Sequence, residues 1–315
     1  MKLIGENIHI ISKKTREAIE NRDTAYILDM AKRQAAAGVD WIDLNIGPAR
    51  KGWAGTMEWL TSEILKEIPD VKLSFDSTNS AELEAGLKLV SNPQECIINS
   101  ASGDPERLDN MTKLAAQYGS HLIALTLSNE TGIPKDPDGR LEIASIILDK
   151  TAELGIENTK ILLDPLVLPV NVDQSQIMAA LDSIRVFKES FDPTVMTTIG
   201  LSNVSNGSPK EMRPLINRIF AVMAMGCGLD SAIIDAFDTE LIRVVRIVSS
   251  QTPEKESDNL LINLHNLMQE FGELEDLAYN KNNPEEVAIY KTAEILFNKN
   301  IYAHNYLQES CNIVE

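Results

Sequence analysis

The chain has 315 residues, 43% hydrophobic and 24% charged, which is enough for one large buried core with an appendage. Its formal net charge of -18 at pH 7 repels nucleic acid and anionic membrane surfaces and leaves a basic protein partner open. Cys96, Cys227 and Cys311 lie far apart with no C-x-x-C pairing, so they read as buried, inert thiols rather than a disulfide framework or a zinc ribbon. There is no long apolar stretch at the start or later, and a cytoplasmic protein is expected.

Short apolar runs alternate with longer amphipathic ones along most of the chain. A strand is expected over 3–8, then a helix over 24–37 that stops at Gly38. The second strand, 41–45, ends in the turn Gly47-Pro48, and a helix over 57–67 leads to a third strand at 72–75. The pattern continues with helix 79–90, strand 95–98, helix 105–118, strand 121–126, helix 141–154, strand 160–163 and helix 174–188. The seventh strand is expected over 196–200, a helix over 214–225 with Gly226 and Gly228 as stop signals, and the eighth strand over 231–234. Eight successive βα units in a chain of this length favour a TIM (β/α)8 barrel over an open doubly wound sheet.

The rhythm breaks after the helical run 242–248. Residues 251–286 are polar and acidic around the periodic set Leu260, Leu261, Leu264, Leu267, Met268 and Phe271, which reads as an inserted amphipathic helix. The expected organisation is therefore a barrel over 1–250, the acidic helical insert over 251–286 and a closing C-terminal helix of the barrel within 287–315. The insert either packs one face on the outside of the barrel or offers its apolar stripe to a partner or a second subunit.

Polar groups converge at the strand ends. Leu73-Ser74-Phe75-Asp76, Cys96-Ile97-Ile98-Asn99 and Ile161-Leu162-Leu163-Asp164 each close an apolar run with a carboxylate or carboxamide, and the seventh strand runs into Gly200-Leu201-Ser202-Asn203-Val204-Ser205. The C-terminal ends of the strands are where a barrel of this class keeps its chemistry. A neutral or acidic set without a strand-end histidine or lysine suits a ligand rich in N–H donors and ring nitrogens better than a phosphate. His9, His121, His265 and His304 have no metal-ligand spacing, and no protein-bound metal is expected.

The strings Asp43-Leu44-Asn45-Ile46-Gly47-Pro48-Ala49, Asp76-Ser77-Thr78-Asn79, Thr131-Gly132-Ile133-Pro134-Lys135-Asp136, Gly200-Leu201-Ser202-Asn203-Val204-Ser205 and Arg213-Pro214-Leu215-Ile216-Asn217-Arg218 resemble, in the same order, those of the pterin-binding methyltransferases. Within that group the chain is similar to the methyltetrahydrofolate:corrinoid protein methyltransferases, from the first strand to about Ile247 and again near Thr292. The resemblance implies a pterin-binding barrel that moves a methyl group between N5 of tetrahydrofolate and the cobalt of a cobalamin carried by a corrinoid protein partner. It implies a homodimer, with tetrahydrofolate or 5-methyltetrahydrofolate as the folate substrate. The acidic insert favours the methylcobalamin:tetrahydrofolate direction used in demethylation pathways; the acetogenic direction is the alternative.

The same resemblance assigns residues. Asp76, Asn99 and Asp164 are expected to bind the pterin ring, because a carboxylate accepts adjacent N–H and amino donors as charge-assisted hydrogen bonds. Gly200 and Ser202 are expected to line the pocket. Asn203 takes the catalytic position at N5, where an amide donor favours the change in protonation as the C–N bond breaks. Asn7, Asn45, Asn206, Arg213 and Asp235 are further candidates, with Asn206 standing where the family pattern has a glutamine in a shorter loop. Helix capping by Asp76 or Asp164 and an Asx-turn at Asn203 are the local alternatives. Dihydropteroate synthase shares the barrel and pterin pocket, but its lysine after the seventh strand has no counterpart in Gly200-Leu201-Ser202-Asn203. A pterin-binding subunit without turnover is the remaining alternative.

Overall fold

Eight parallel strands form one sheet among the described residues, 1–48 and 52–308, of a computed structural model. They are β1 (Lys2–His9), β2 (Trp41–Gly47), β3 (Leu73–Ser77), β4 (Ile97–Ser102), β5 (His121–Leu125), β6 (Ile161–Asp164), β7 (Met196–Thr197) and β8 (Ser231–Ile234). Neighbours follow the order β7-β6-β5-β4-β3-β2-β1-β8. The last seam, between β7 and β8, is joined by a parallel bridge from Gly200 to Ile233, with the Ile233 N–H donating to the Ile199 carbonyl at 2.8 Å. The result is a nearly closed barrel with helices between its strands.

Side-chain alternation along each strand decides what the barrel encloses. Ile4, Trp41, Ile97, Ile123 and Leu162 pack together as an interior layer, against which Leu125, Met196 and Ile233 also rest. The opposite parity, including Ile42, Leu44, Phe75, Leu122 and Ile161, packs outward with the helices. Two residues beyond the interior apolar layer, the inward parity carries Glu6, Asp43, Asn99, Asp164 and Asp235 in place of hydrocarbon. The barrel is therefore plugged by apolar side chains below and lined by polar ones toward the C-terminal ends of its strands.

The helices are α1 (Lys13–Glu20), α2 (Thr24–Ala37), α3 (Thr56–Glu67), α4 (Ser80–Leu87), α5 (Pro105–Tyr118), α6 (Pro137–Glu153), α7 (Ser175–Ser190), α8 (Arg213–Gly226) and α9 (Thr239–Ser250). Several departures from the expected boundaries have local causes. α6 starts earlier because Asp136 accepts from the Gly139 N–H at 2.8 Å and Pro137 occupies the first turn. α1 was not anticipated; its apolar side is only Thr15, Ala18 and Ile19, too brief to establish a period. β7 pairs over two residues instead of five, since the chain beyond Thr197 turns to bridge β8.

After α9 come α10 (Asp258–Gln269), a 3-10 turn at Leu274–Asp276 and α11 (Pro284–Leu296). Leu260, Leu261, Leu264 and Met268 are buried in one cluster with Ile219, Phe220 and Met223 of α8, so the apolar stripe of the insert lies against the barrel's own outer helix. Leu267 is partly buried there and Phe271 remains exposed, with Arg185 over its ring at 4.5 Å. Asp258 fixes the start of α10: buried, it receives both terminal nitrogens of Arg243 at 2.8 Å and the N–H groups of Glu254 and Lys255. Burial pushes the Cys96 thiol up to about 11 and the Cys227 thiol to about 12, as expected of inert cysteines. Cys311 and Ala49 lie outside the described residues. No helix among the described residues is long and apolar enough to cross a membrane.

Candidate active site

The polar lining begins on β2 and β3. Asp43 is buried and accepts from Ser74 Oγ at 2.6 Å and from Asn99 Nδ2 at 3.4 Å. The second bond orients the Asn99 amide, turning its nitrogen to Asp43 and leaving its oxygen as an open acceptor. Burial lifts the Asp43 carboxyl to about 6 in spite of those two donors. Asp76 stands at the end of β3, where the Asn45 amide donates to it. Burial, and then repulsion by Asp43, carry Asp76 well above the usual carboxylate range, while Arg107 and Asn45 oppose the rise.

On the other wall, Asp164 ends β6 and accepts from the Leu166 N–H at 2.8 Å. Burial pushes its carboxyl to about 7, against the Leu166 and Gly200 N–H groups and the positive charge of Arg140. Arg140 is itself fully buried in α6 and is held by Gln176 at 3.0 Å and Ser183 at 3.2 Å. Glu6, on β1, is also raised to about 7: burial is the main cause, the Ser202 hydroxyl at 3.4 Å opposes it, and Asp235 and Asp43 add to it. This lining is buried and rich in acceptors, so a ligand bringing N–H donors would draw these carboxyls back into their ionised forms.

Asn203 sits in the 3-10 turn Leu201–Ser205, which follows the bridge at Gly200. Its side chain is exposed, and no hydrogen bond holds its amide among the described residues. A Cβ at position 200 would lie 2.9 Å from Asn203 Nδ2, so glycine is what allows the amide to lie back over the strand end. The Asx-turn alternative is thus not realised.

The other expected residues divide into groups. Asp76 is not a helix cap; Asn79 caps α4 through the Ala81 N–H, whereas Asp164 does close a local turn. Asn45 donates its amide to Asp76. Asn7 ties the barrel together: its amide donates to Asp235 at 2.7 Å and accepts from the Ala236 N–H at 2.9 Å, which joins the ends of β1 and β8. Arg213 uses its Nε on the Ser208 carbonyl at 2.8 Å. With Glu6, Ser202, Lys210, Arg218 and Asp235 it also lines a cleft of about 600 Å³ between the loops after β7 and β8. Asn206 is exposed at the end of the 3-10 turn and is not among the residues lining that cleft.

Glu6, Asp43, Arg107 and Arg140 were not singled out in the sequence. A signal for two of them existed: Glu6 shares the inward parity of Ile4, and Asp43 that of Trp41 and Asn45, so each is a carboxylate on the enclosed side of an apolar strand. Among the described residues no group of three or more histidine, cysteine, aspartate or glutamate side chains is arranged to hold a metal ion.

Comparison with known proteins gives the family and the fold. The sequence profile described as "Pterin binding enzyme" matches residues 12–235. The methylcorrinoid:tetrahydrofolate methyltransferase of Eubacterium limosum is 28% identical over 247 residues, covering 78% of this chain and 89% of that protein. The methionine synthase of Mycobacterium leprae (strain TN) is 30% identical over 260 residues; the match takes 79% of this chain but 21% of that much longer protein. Among solved structures, dihydropteroate synthase from Yersinia pestis superposes with a TM-score of 0.56 at 16% identity, covering 79% of this chain and 92% of that one, which is a likeness of fold.

Proposed function

The chain belongs to the pterin-binding enzyme family, and from that premise we propose that it transfers a methyl group between a corrinoid protein and N5 of tetrahydrofolate, running from methylcorrinoid to folate. The observation that carries the reading is that Asp76, Asn99 and Asp164 stand toward the C-terminal ends of β3, β4 and β6 of one barrel, and that the turn after β7 carries Asn203, an exposed amide with no hydrogen bond among the described residues. The Eubacterium limosum relative, similar over most of its length, supports the substrate pair and the direction.

In this reading the pterin lies edge-on to the strand ends. Asp76 and Asp164 accept its ring N–H and amino donors, while Asn99, held by Asp43, presents its oxygen. The p-aminobenzoyl and glutamate portion runs toward the cleft that Lys210 and Arg213 line. Asn203 accepts the N5–H of tetrahydrofolate and directs the nitrogen lone pair at the methyl carbon. As the N5–C bond forms and the Co–C bond breaks, the electron pair stays on cobalt and the N5 proton passes to solvent water. In the opposite direction the same amide donates toward N5, whose departure as an amine it favours in the transition state. The corrinoid arrives on its own protein as the methyl-carrying substrate, and the enzyme is proposed to be a homodimer in which each barrel keeps its own site. Titration calorimetry with tetrahydrofolate tests the binding half: saturable binding at one site per barrel is expected, and the absence of any saturable heat contradicts it.

A further inference from the structure

Carboxylates crowd the strand ends, and on the β3–β4 side Arg107 brings a cation among them. Arg107 lies in the first turn of α5, where its Nε donates to the Ser100 carbonyl and its Nη2 to Ser100 Oγ, both at 2.8 Å. Ser100 directly follows Asn99, so this fork grips the backbone beside an expected pterin acceptor. The same guanidinium feels the charges of Asp76 and Asp104 and, with Thr78 and Asn129, lines a cleft of about 310 Å³ beside the end of β3.

The charges that face Asp76 come from two elements: Asp43 on β2 opposes its ionisation and Arg107 on α5 supports it. Neutral Asn45 adds a donor, Asp43 in turn raises Glu6 on β1, and Asp104 faces Arg107 at the start of α5. Two carboxylates this deeply buried do not both ionise without a counter-charge. A protonated Asp76 would turn an O–H toward the N–H groups of the ligand and lose at least one hydrogen bond.

We propose that Arg107 is a positioning residue for the pterin: one guanidinium clamps the Asn99–Ser100 turn and supplies the positive charge that lets Asp76 receive the ligand as an ionised, acceptor-only group. The inference rests on the folate reading above. It separates two jobs, since lysine would keep the charge but lose the fork, whereas glutamine would keep a donor for Ser100 and lose the charge.

The test is tetrahydrofolate affinity, by calorimetry, from mildly acidic to mildly basic pH for the wild type, Arg107→Gln and Arg107→Lys, with thermal melting to verify folding. An ionised acceptor gives binding that fails as pH falls, and removing the counter-charge raises the carboxyl further. Arg107→Gln is therefore expected to move the acid edge of binding upward by about one pH unit and to weaken affinity at neutrality about tenfold. Arg107→Lys is expected to restore the edge while still binding more weakly than the wild type. An unmoved edge in folded Arg107→Gln overturns the proposal, and so does an equal shift in both variants. A wild type that does not bind tetrahydrofolate contradicts the functional reading instead, which keeps the two failures distinct.

Discussion

Asp164 is ionised in water at neutral pH but is raised to about 7 inside the barrel, from an ordinary 3.8. Between those two values the folded chain binds more protons than the unfolded one, so the contribution of this group to stability falls as pH rises and is at its worst above about 7. Asp164→Asn is accordingly expected to raise the thermal midpoint above neutrality, with the gain shrinking toward the ordinary carboxylate range. The same change is expected to weaken tetrahydrofolate binding by about 1–3 kcal/mol, because an amide replaces one of the two accepting carboxylate oxygens with an NH2 donor. Melting curves at several pH values, paired with calorimetry, check both signs. Asn203 is the opposite case, an exposed side chain with no hydrogen-bond partner among the described residues. Asn203→Ala is expected to slow transfer by about 100-fold, leave folate affinity close to normal and leave the melting temperature unchanged. Gly200→Ala is expected to mimic it by pushing on Asn203 Nδ2, which a new Cβ would meet at 2.9 Å. At this scale the placement of Asp76, Asn99 and Asp164 toward strand ends was legible in the sequence, because each closes an apolar run; their part in binding a pterin is a proposal. Glu6 and Asp43 carried only the weaker signal of parity with Ile4 and Trp41, which identifies an enclosed carboxylate once closure of the barrel shows which parity faces inward.

Among the elements, the strands and most helices follow from periodicity, and the exceptions lie where packing or capping decides. The two-residue β7 is short because its successor residues close the barrel against β8, a long-range pairing that no local pattern announces. The insert was recognisable as an amphipathic helix from its leucine spacing, but the identity of its partner was not. That partner is α8, and the contact is close at Gly226, where an added Cβ would meet the His265 carbonyl oxygen at 2.4 Å and Met268 Cβ at 2.6 Å. Gly226→Ala is therefore expected to push α10 off α8 and lower stability by about 1–3 kcal/mol, the usual range for overpacking. Chemical denaturation checks this; an unchanged midpoint would mean that α10 is free to shift outward.

For the molecule as a whole, a net charge of -18 disfavours nucleic acid as a partner, and the proposed partner is a corrinoid-bearing protein. A homodimer with independent sites predicts twice the chain mass by light scattering and one tetrahydrofolate per chain; a monomer of full activity would remove the dimer from the account. The central claim, methyl transfer between cobalt and folate, is reached most directly with free cobalamin, whose spectrum differs between the methylated Co(III) and the Co(I) forms. Methylcobalamin mixed anaerobically with tetrahydrofolate and this protein should lose its methylated spectrum and gain that of Co(I), with 5-methyltetrahydrofolate formed in equal amount and the rate strongly reduced in Asn203→Ala. A spectrum that does not change in either direction, with protein that binds tetrahydrofolate, would contradict the account.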